Sequence, residues 1–257
     1  MPLDKSFAGV TSPSKNDESL VDRFDAYFQL LSANTKDLIE QAFALRYQVY
    51  CMERQFLEGD GEQPSGFESD DYDQHAVHSL LLHKPHDAAI GTARLILPQA
   101  KPNSLPIQQL LKKNGINSRD YFPNDSVAEV SRFAISKDYR RRNLDIGSST
   151  SGRRDRHGNL PCLGMIQMLL RQSVELGVDY WGAVMEPHLL RMLAMMGVRF
   201  HPIGPLVSYH GLRQPSYCHL PQMLRNLALT KPDCWALVTN NGELMSAPVA
   251  RELRRVA

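Results

Sequence analysis

The chain has 257 residues, 42% of them hydrophobic and 22% charged, with a formal net charge of +1. That is ample apolar material for one large domain or a domain with extensions, which excludes disorder throughout. The near-neutral balance excludes a surface built wholly for nucleic acid, so an anionic partner must be met by a local patch.

Cys51, Cys162, Cys218 and Cys234 are far apart and form no C-x-x-C pair, the pattern of reduced thiols rather than a disulfide framework. No apolar run approaches the roughly 18 to 20 residues of a membrane span, and the N-terminus lacks the basic-then-apolar order of a signal peptide. A cytoplasmic location is expected.

Residues 1–22 read as a flexible leader, with no period through Ser12-Pro13-Ser14-Lys15-Asn16-Asp17. A domain is expected over 23–220. Tyr27 to Leu31 predicts a first strand, and Asn34-Thr35 caps a helix whose apolar positions are Leu38, Ile39, Ala42, Phe43 and Leu45. Arg46 and Tyr50 then stand four apart, on one helix face. Glu58 to Ser69 holds three glycines, a proline and four acids, the composition of a loop or flap.

Ala76 to Leu82 and Ile90 to Leu97 predict a hairpin, followed by a short helix over Leu105 to Lys113. Val127 to Ile135 is a strand, and Met165 to Leu176 an apolar helix ended by Gly177. A strand at Val178 to Met185, a helix at His188 to Met196 and a strand at Val198 to Tyr209, interrupted at Gly204-Pro205, complete the domain. The extension 221–257 is read as a helix near Pro221 to Leu229 and a small hairpin, Trp235 to Val238 turning at Asn240-Asn241-Gly242. This order of elements fits an α/β (α+β) domain with a mixed sheet flanked by helices.

The most informative run is Glu129-Val130-Ser131-Arg132-Phe133-Ala134-Ile135, which puts a carboxylate, a hydroxyl and a guanidinium on one strand. Buried charge is unfavourable unless it is paired or functional. Arg46, Tyr50 and Glu53 upstream, and Asp70-Asp71-Tyr72-Asp73 after them, can supply partners.

Four segments resemble, in order, the signature blocks of the acyl-homoserine-lactone (autoinducer) synthases: Leu45-Arg46-Tyr47-Gln48-Val49-Tyr50, Asp70-Asp71-Tyr72-Asp73, Gly91-Thr92-Ala93-Arg94-Leu95 and Glu129-Val130-Ser131-Arg132-Phe133. Two stretches, Arg46 to Arg54 and Gly204 to Gly211, are similar to the PEP-CTERM/exosortase system-associated acyltransferases, and N-acyl amino acid synthases share the superfamily. The resemblance spans roughly residues 25–220. It implies a GNAT-like, mostly antiparallel sheet splayed at the motif strand. It also implies a buried cluster of Arg46, Asp70, Asp73, Arg94, Glu129 and Arg132 beneath an acceptor pocket, three positives facing three negatives. Autoinducer synthases favour a Trp between the first two blocks, and residues 51–69 contain none, which argues against S-adenosylmethionine as acceptor.

The activity implied is transfer of a fatty acyl group from a thioester to an amine, with Glu129, Arg132 and Ser131 as catalytic candidates. Glu129 is the candidate base, since burial raises a carboxyl towards neutrality while arginines limit the rise. Oxyanion donors are expected to be backbone N–H groups where the strand splays around Phe133. Arg46, Tyr50, Asp70, Asp73, Arg94 and Phe133 are candidate substrate-binding residues, with Arg94 or Arg132 suited to an acceptor carboxylate. Arg140, Arg141, Arg142, Arg153 and Arg154 follow the motif strand without a compact Q/R-x-x-G-x-G/A loop. They favour phosphopantetheine on an acidic acyl carrier protein over coenzyme A as co-substrate; the alternative is a solvated basic loop. Only Tyr139 could stack bases there, so no nucleic-acid partner is expected.

Met165, Met168, Leu169, Met192, Met195 and Met196 are either soft lining for the acyl chain or ordinary core. His75, His78, His188, His201 and His210 show no ligand spacing, so no metal is expected. Cys51 is expected to be a buried thiol. A catalytically silent carrier- or lipid-binding module, or a lactone synthase proper, are the competing readings.

Overall fold

The computed structural model describes residues 18–53, 66–123, 126–139, 160–208 and 211–245. Its centre is one eight-stranded sheet ordered β1-β2-β3-β4-β5-β8-β6, with β7 paired to β8 off that path. The strands are β1 (Phe28–Ala33), β2 (Ala76–His83), β3 (Ala88–Ile96), β4 (Val127–Ile135), β5 (Tyr180–Met185), β6 (His201–Pro202), β7 (Val207–Ser208) and β8 (Leu212–His219). Every pairing is antiparallel except that of β4 with β5. No helix among the described residues is long and apolar enough to cross a membrane.

Helix α1 (Leu20–Tyr27) begins at Ser19, whose hydroxyl accepts from the N–H of Asp22, and α2 (Lys36–Tyr47) at Thr35, which accepts from Leu38. These side chains satisfy N–H groups that a helix start otherwise leaves open. Helix α3 (Pro106–Lys113) carries its proline in the first turn, where no N–H is needed. Helices α4 (Leu160–Glu175), α5 (Pro187–Met195), α6 (Leu220–Thr230) and α7 (Pro232–Thr239) follow.

On one face of the sheet, α4 buries Met165, Ile166, Leu169 and Leu170 against Leu95, Val130 and Trp181. Phe24 of α1 is fully buried there too, and a Cβ at Gly164 would overlap its ring. On the other face lie two smaller clusters, one around Ile107 and Leu111 of α3, the other around Ala42 and Leu45 of α2.

Several expectations need correction. Folding begins before residue 23, because Leu20 already lies in α1 and packs on the main core. Trp235 to Val238 is helical, not the strand of a hairpin: Pro232 starts α7 and Asn240, left-handed at φ 50°, ends it. The Asn-Asn-Gly run supplies the same left-handed backbone to a helix terminus as to a hairpin turn. Leu224 and Leu227 of α6 and Leu237 and Val238 of α7 belong to the main core, so residues 221–245 complete the domain rather than extend it. Of the strand read over Val198 to Tyr209, the described residues to 208 show two short pieces, β6 and β7, each paired with the unanticipated long strand β8. Cys51 is half-buried rather than buried.

Candidate active site

Strands β4 and β5 run side by side only from Val127–Tyr180 to Glu129–Gly182. Beyond that point β4 bonds to β3 as far as Ile135, while β5 bonds to β8 as far as Met185 and Gln214. The two strands therefore diverge into a wedge. A cavity of about 240 Å³ occupies it, with Arg94, Glu129, Ser131 and Arg132 on one side and Val184, Met185, Leu189 and Met192 on the other. Tyr50, Asp70 and Phe133 also line it.

A bulge in β4 sets the chemistry of the polar side. Thr92 pairs with Ala134 and Arg94 with Ser131, so two residues, Arg132 and Phe133, stand opposite Ala93 alone. Arg132 takes up the difference in a left-handed conformation, φ 51°. In a regular strand, Ser131 and Arg132 would point to opposite faces. Here both reach the polar cluster: Ser131 accepts from Arg94 Nε at 3.0 Å, and Arg132 Nη2 donates to Glu68 at 2.8 Å.

The cluster is closed and balanced. Arg46, wholly buried, donates through Nε to Glu68 at 2.5 Å and through Nη1 to Asp73 at 2.7 Å. Arg94 donates to Asp70 and Asp73, each at 2.6 Å. Arg132 adds a bond to Asp70 at 3.0 Å. Asp70 also caps the turn Asp71–His75, whose Asp73 side chain accepts from the N–H of Asp70. Three guanidiniums thus share three carboxylates, as buried charge requires.

The third carboxylate is Glu68, not Glu129. Glu68 lies in the acid- and glycine-rich stretch read as a flap, and its one usable signal was position, two residues before Asp70. Glu129 instead accepts from the N–H of Ile107 at 2.6 Å, in the first turn of α3. Burial pushes its carboxyl up to about 7, against the Ile107 N–H and the more distant charges of Arg94 and Arg132. For Asp73, burial pushes the same way, but the hydrogen bond and charge of Arg46 and the charge of Arg94 prevail and bring it to about 2. Glu68 is likewise raised by burial and lowered further by Arg132 and Arg46, for a net fall. Despite burial, Asp70 and Asp73 raise Arg94, and Glu68, with Tyr50 and Asp70, raises Arg132.

Arg46 and Tyr50 do not share an α-helical face. Beyond α2 the chain continues as a π-helical turn, Gln48–Glu53. It carries Tyr50 to β4, where its hydroxyl donates to the Phe133 carbonyl at 3.3 Å and its ring lies 5.7 Å from the Arg132 guanidinium carbon. Glu53, at the end of that turn, accepts from Ser136 Oγ at 3.0 Å and from the N–H of Lys137 at 2.9 Å.

Of the methionines considered for an acyl slot, Met192 alone lines the cavity. Met165, Met168, Leu169 and Met196 are core, and Met195 is 72% exposed. Arg140, Arg141, Arg142, Arg153 and Arg154 lie outside the described residues.

Residues 45–146 match the acetyltransferase (GNAT) domain family. The fold is the GNAT fold. Among solved structures it is similar to BjaI, a CoA-dependent acyl-homoserine-lactone synthase solved with MTA, at 20% identity and a TM-score of 0.55, over 84% of this chain and 89% of that one. TofI, in a ternary complex with an inhibitor and MTA, matches at 20% identity and a TM-score of 0.56, over 80% and 99%. FeeM, an N-acyl amino acid synthase from uncultured soil microbes, matches at 15% identity and a TM-score of 0.51, over 79% and 97%. At these identities the likeness is one of GNAT fold. No curated protein matches the chain by sequence.

Proposed function

We propose that the protein is an N-acyltransferase that moves a fatty acyl group from a thioester carrier to the amine of an amino acid or similar small amine. The observation that carries this reading is a near-neutral buried carboxyl, Glu129, lining a cavity in the wedge between β4 and β5. The GNAT domain match and the synthases among its structural neighbours support it.

Ionised Glu129, directly or across one water, takes a proton as the amine nitrogen attacks the thioester carbonyl carbon. N–H groups of β4 beyond the bulge hold the oxyanion. As the tetrahedral intermediate collapses, the C–S bond breaks and the thiolate takes the proton back from Glu129. Such base catalysis is worth ~10²–10⁴ in rate, and holding the two reactants together several kcal/mol more. Val184, Met185, Leu189 and Met192 offer the acyl chain an apolar wall.

Arg94 is already engaged by Asp70 and Asp73, and Arg132 by Glu68 and Asp70 through Nε and Nη2, so an acceptor carboxylate either displaces one of these acids or binds through Arg132 Nη1. The role of Arg46, Asp73 and Arg94 in this reading is to hold the pocket floor. An acyl carrier protein is the donor proposed, on the sequence charge of Arg140, Arg141, Arg142, Arg153 and Arg154, with a place in a PEP-CTERM/exosortase system on the resemblance of Arg46 to Arg54. A second reading, lactone formation from S-adenosylmethionine, is favoured by BjaI, which was also solved with SAM and isopentyl-CoA.

Incubating the protein with acyl carrier protein thioesters or acyl-coenzyme A, a panel of amines and S-adenosylmethionine, followed by mass spectrometry, tests all of this. An N-acylated amine supports the proposal, a lactone the second reading. A folded protein that leaves every thioester unconsumed refutes both.

A further inference from the structure

Arg132 is an arginine in a conformation that side chains rarely adopt, placed where β4 parts from β5. Such strain persists only where the surroundings over-determine it. Glu68 and Asp70 hold the guanidinium from one side. Tyr50 meets the bulge from another, with its ring under the same guanidinium and its hydroxyl on the carbonyl of the next residue, Phe133. A carbonyl at a bulge lies outside the regular ladder and has to find a partner elsewhere.

The π-helical turn is what makes this reach available. Regular α-helix would stack Tyr50 over Arg46, whose side chain runs down to Glu68 and Asp73. The wider turn from Gln48 sends Tyr50 to the sheet instead. Single π-turns of this kind recur at functional sites because they re-aim one side chain without breaking the helix.

We infer that Tyr50 is a positioning residue: through its hydroxyl on the Phe133 carbonyl it fixes the bulge, and so the direction of the backbone N–H groups on the splayed part of β4. Its effect on catalysis rests on the transfer reading above; its effect on the bulge does not. Tyr50 moves no proton in this scheme. Trans peptide planarity couples the Phe133 carbonyl to the N–H of Ala134, which stands opposite Thr92 of β3, so freeing the carbonyl loosens that plane and the N–H groups on either side of it.

Tyr50→Phe keeps the ring under Arg132 and removes only the hydroxyl. Amide hydrogen exchange at residues 132–135 is expected to speed up by roughly tenfold, the scale of one lost hydrogen bond, with little change in melting temperature. In transfer assays kcat is expected to fall about 5- to 20-fold while the donor KM stays within about twofold, as for an interaction that matters in the transition state. The limb of the pH profile near 7 should persist. Unchanged exchange overturns the inference, and so does raised exchange with wild-type kcat. A kcat loss accompanied by disappearance of that limb overturns it as well, because Tyr50 would then be moving a proton. A wild-type protein that transfers nothing refutes the proposed activity, and the exchange result then decides the clamp by itself.

Discussion

Two parts of one small site treat buried carboxyls in opposite ways. In the ionic floor, Glu68 and Asp73 meet guanidiniums at hydrogen-bonding distance and fall below the ordinary carboxylate range, Asp73 to about 2. On β4, Glu129 meets a single backbone N–H and rises to about 7. Burial pushes all three upward; the partner decides the outcome. The floor is thereby locked as permanent charge that shapes the pocket, while Glu129 is left able to take and return a proton near neutrality. A reading that pools all the acids into one cluster loses this division of labour.

Breaking the floor should have the largest effect. Arg46→Met leaves Glu68 and Asp73 without the guanidinium that bridges them, and should cost about 3–5 kcal/mol in urea unfolding. Glu129→Gln keeps an oxygen for the Ile107 N–H, so unfolding free energy at pH 5 should barely move, yet transfer at pH 7 should fall about 10²–10³-fold. In that variant the limb near pH 7 of the rate profile should vanish.

The comparison sharpens when stability is followed against pH. Glu129 is raised in the folded state from 4.5 to about 7, so the stability it contributes is complete below 4.5 and is lost as the pH rises through 7. A shift of that size is worth on the order of 3 kcal/mol, and Glu129→Gln should remove this alkaline loss. Asp73 is depressed from 3.8 to about 2, so its contribution is complete above 3.8 and is lost as the pH falls through 2. Chemical denaturation from pH 2 to 9 should show both limbs, with only the alkaline one missing in the variant. The smallest effect is expected away from the site: Gly164→Ala drives a methyl into the Phe24 ring and should cost about 1–3 kcal/mol, with kcat unchanged.

Much of this was legible from the chain because the residues concerned obey local rules. Val127 to Ile135 was read with its true limits, since the run is rich in β-branched and aromatic residues, and Thr35 marked the start of α2 by its capping hydroxyl. Arg46, Asp70, Asp73, Arg94 and Arg132 could be grouped because the four segments that carry them resemble the autoinducer-synthase blocks, and the cost of burying any of them alone agrees with that grouping. What escaped depends on contacts between distant segments. Strand β8 carries Pro215 between Gln214 and Ser216, a pattern without strand signal, and is held by β5 on one side and β6 on the other. Glu68 looked like any acid of a loop until Arg46 and Arg132 closed on it. The bulge has no signature of its own, because arginine is a poor advertisement for left-handed backbone. Without it, the serine and the arginine would be assigned to opposite faces.

The backbone at Arg132 also narrows how this protein can change over generations. Glycine would relax the left-handed turn and remove the fork that holds Glu68 and Asp70; lysine would keep a charge without the fork and without relieving the turn. No single amino-acid replacement answers both demands. Position 132 therefore resists gradual substitution, even though Glu68 would keep Arg46 and Asp70 would keep Arg94 once the arginine was gone.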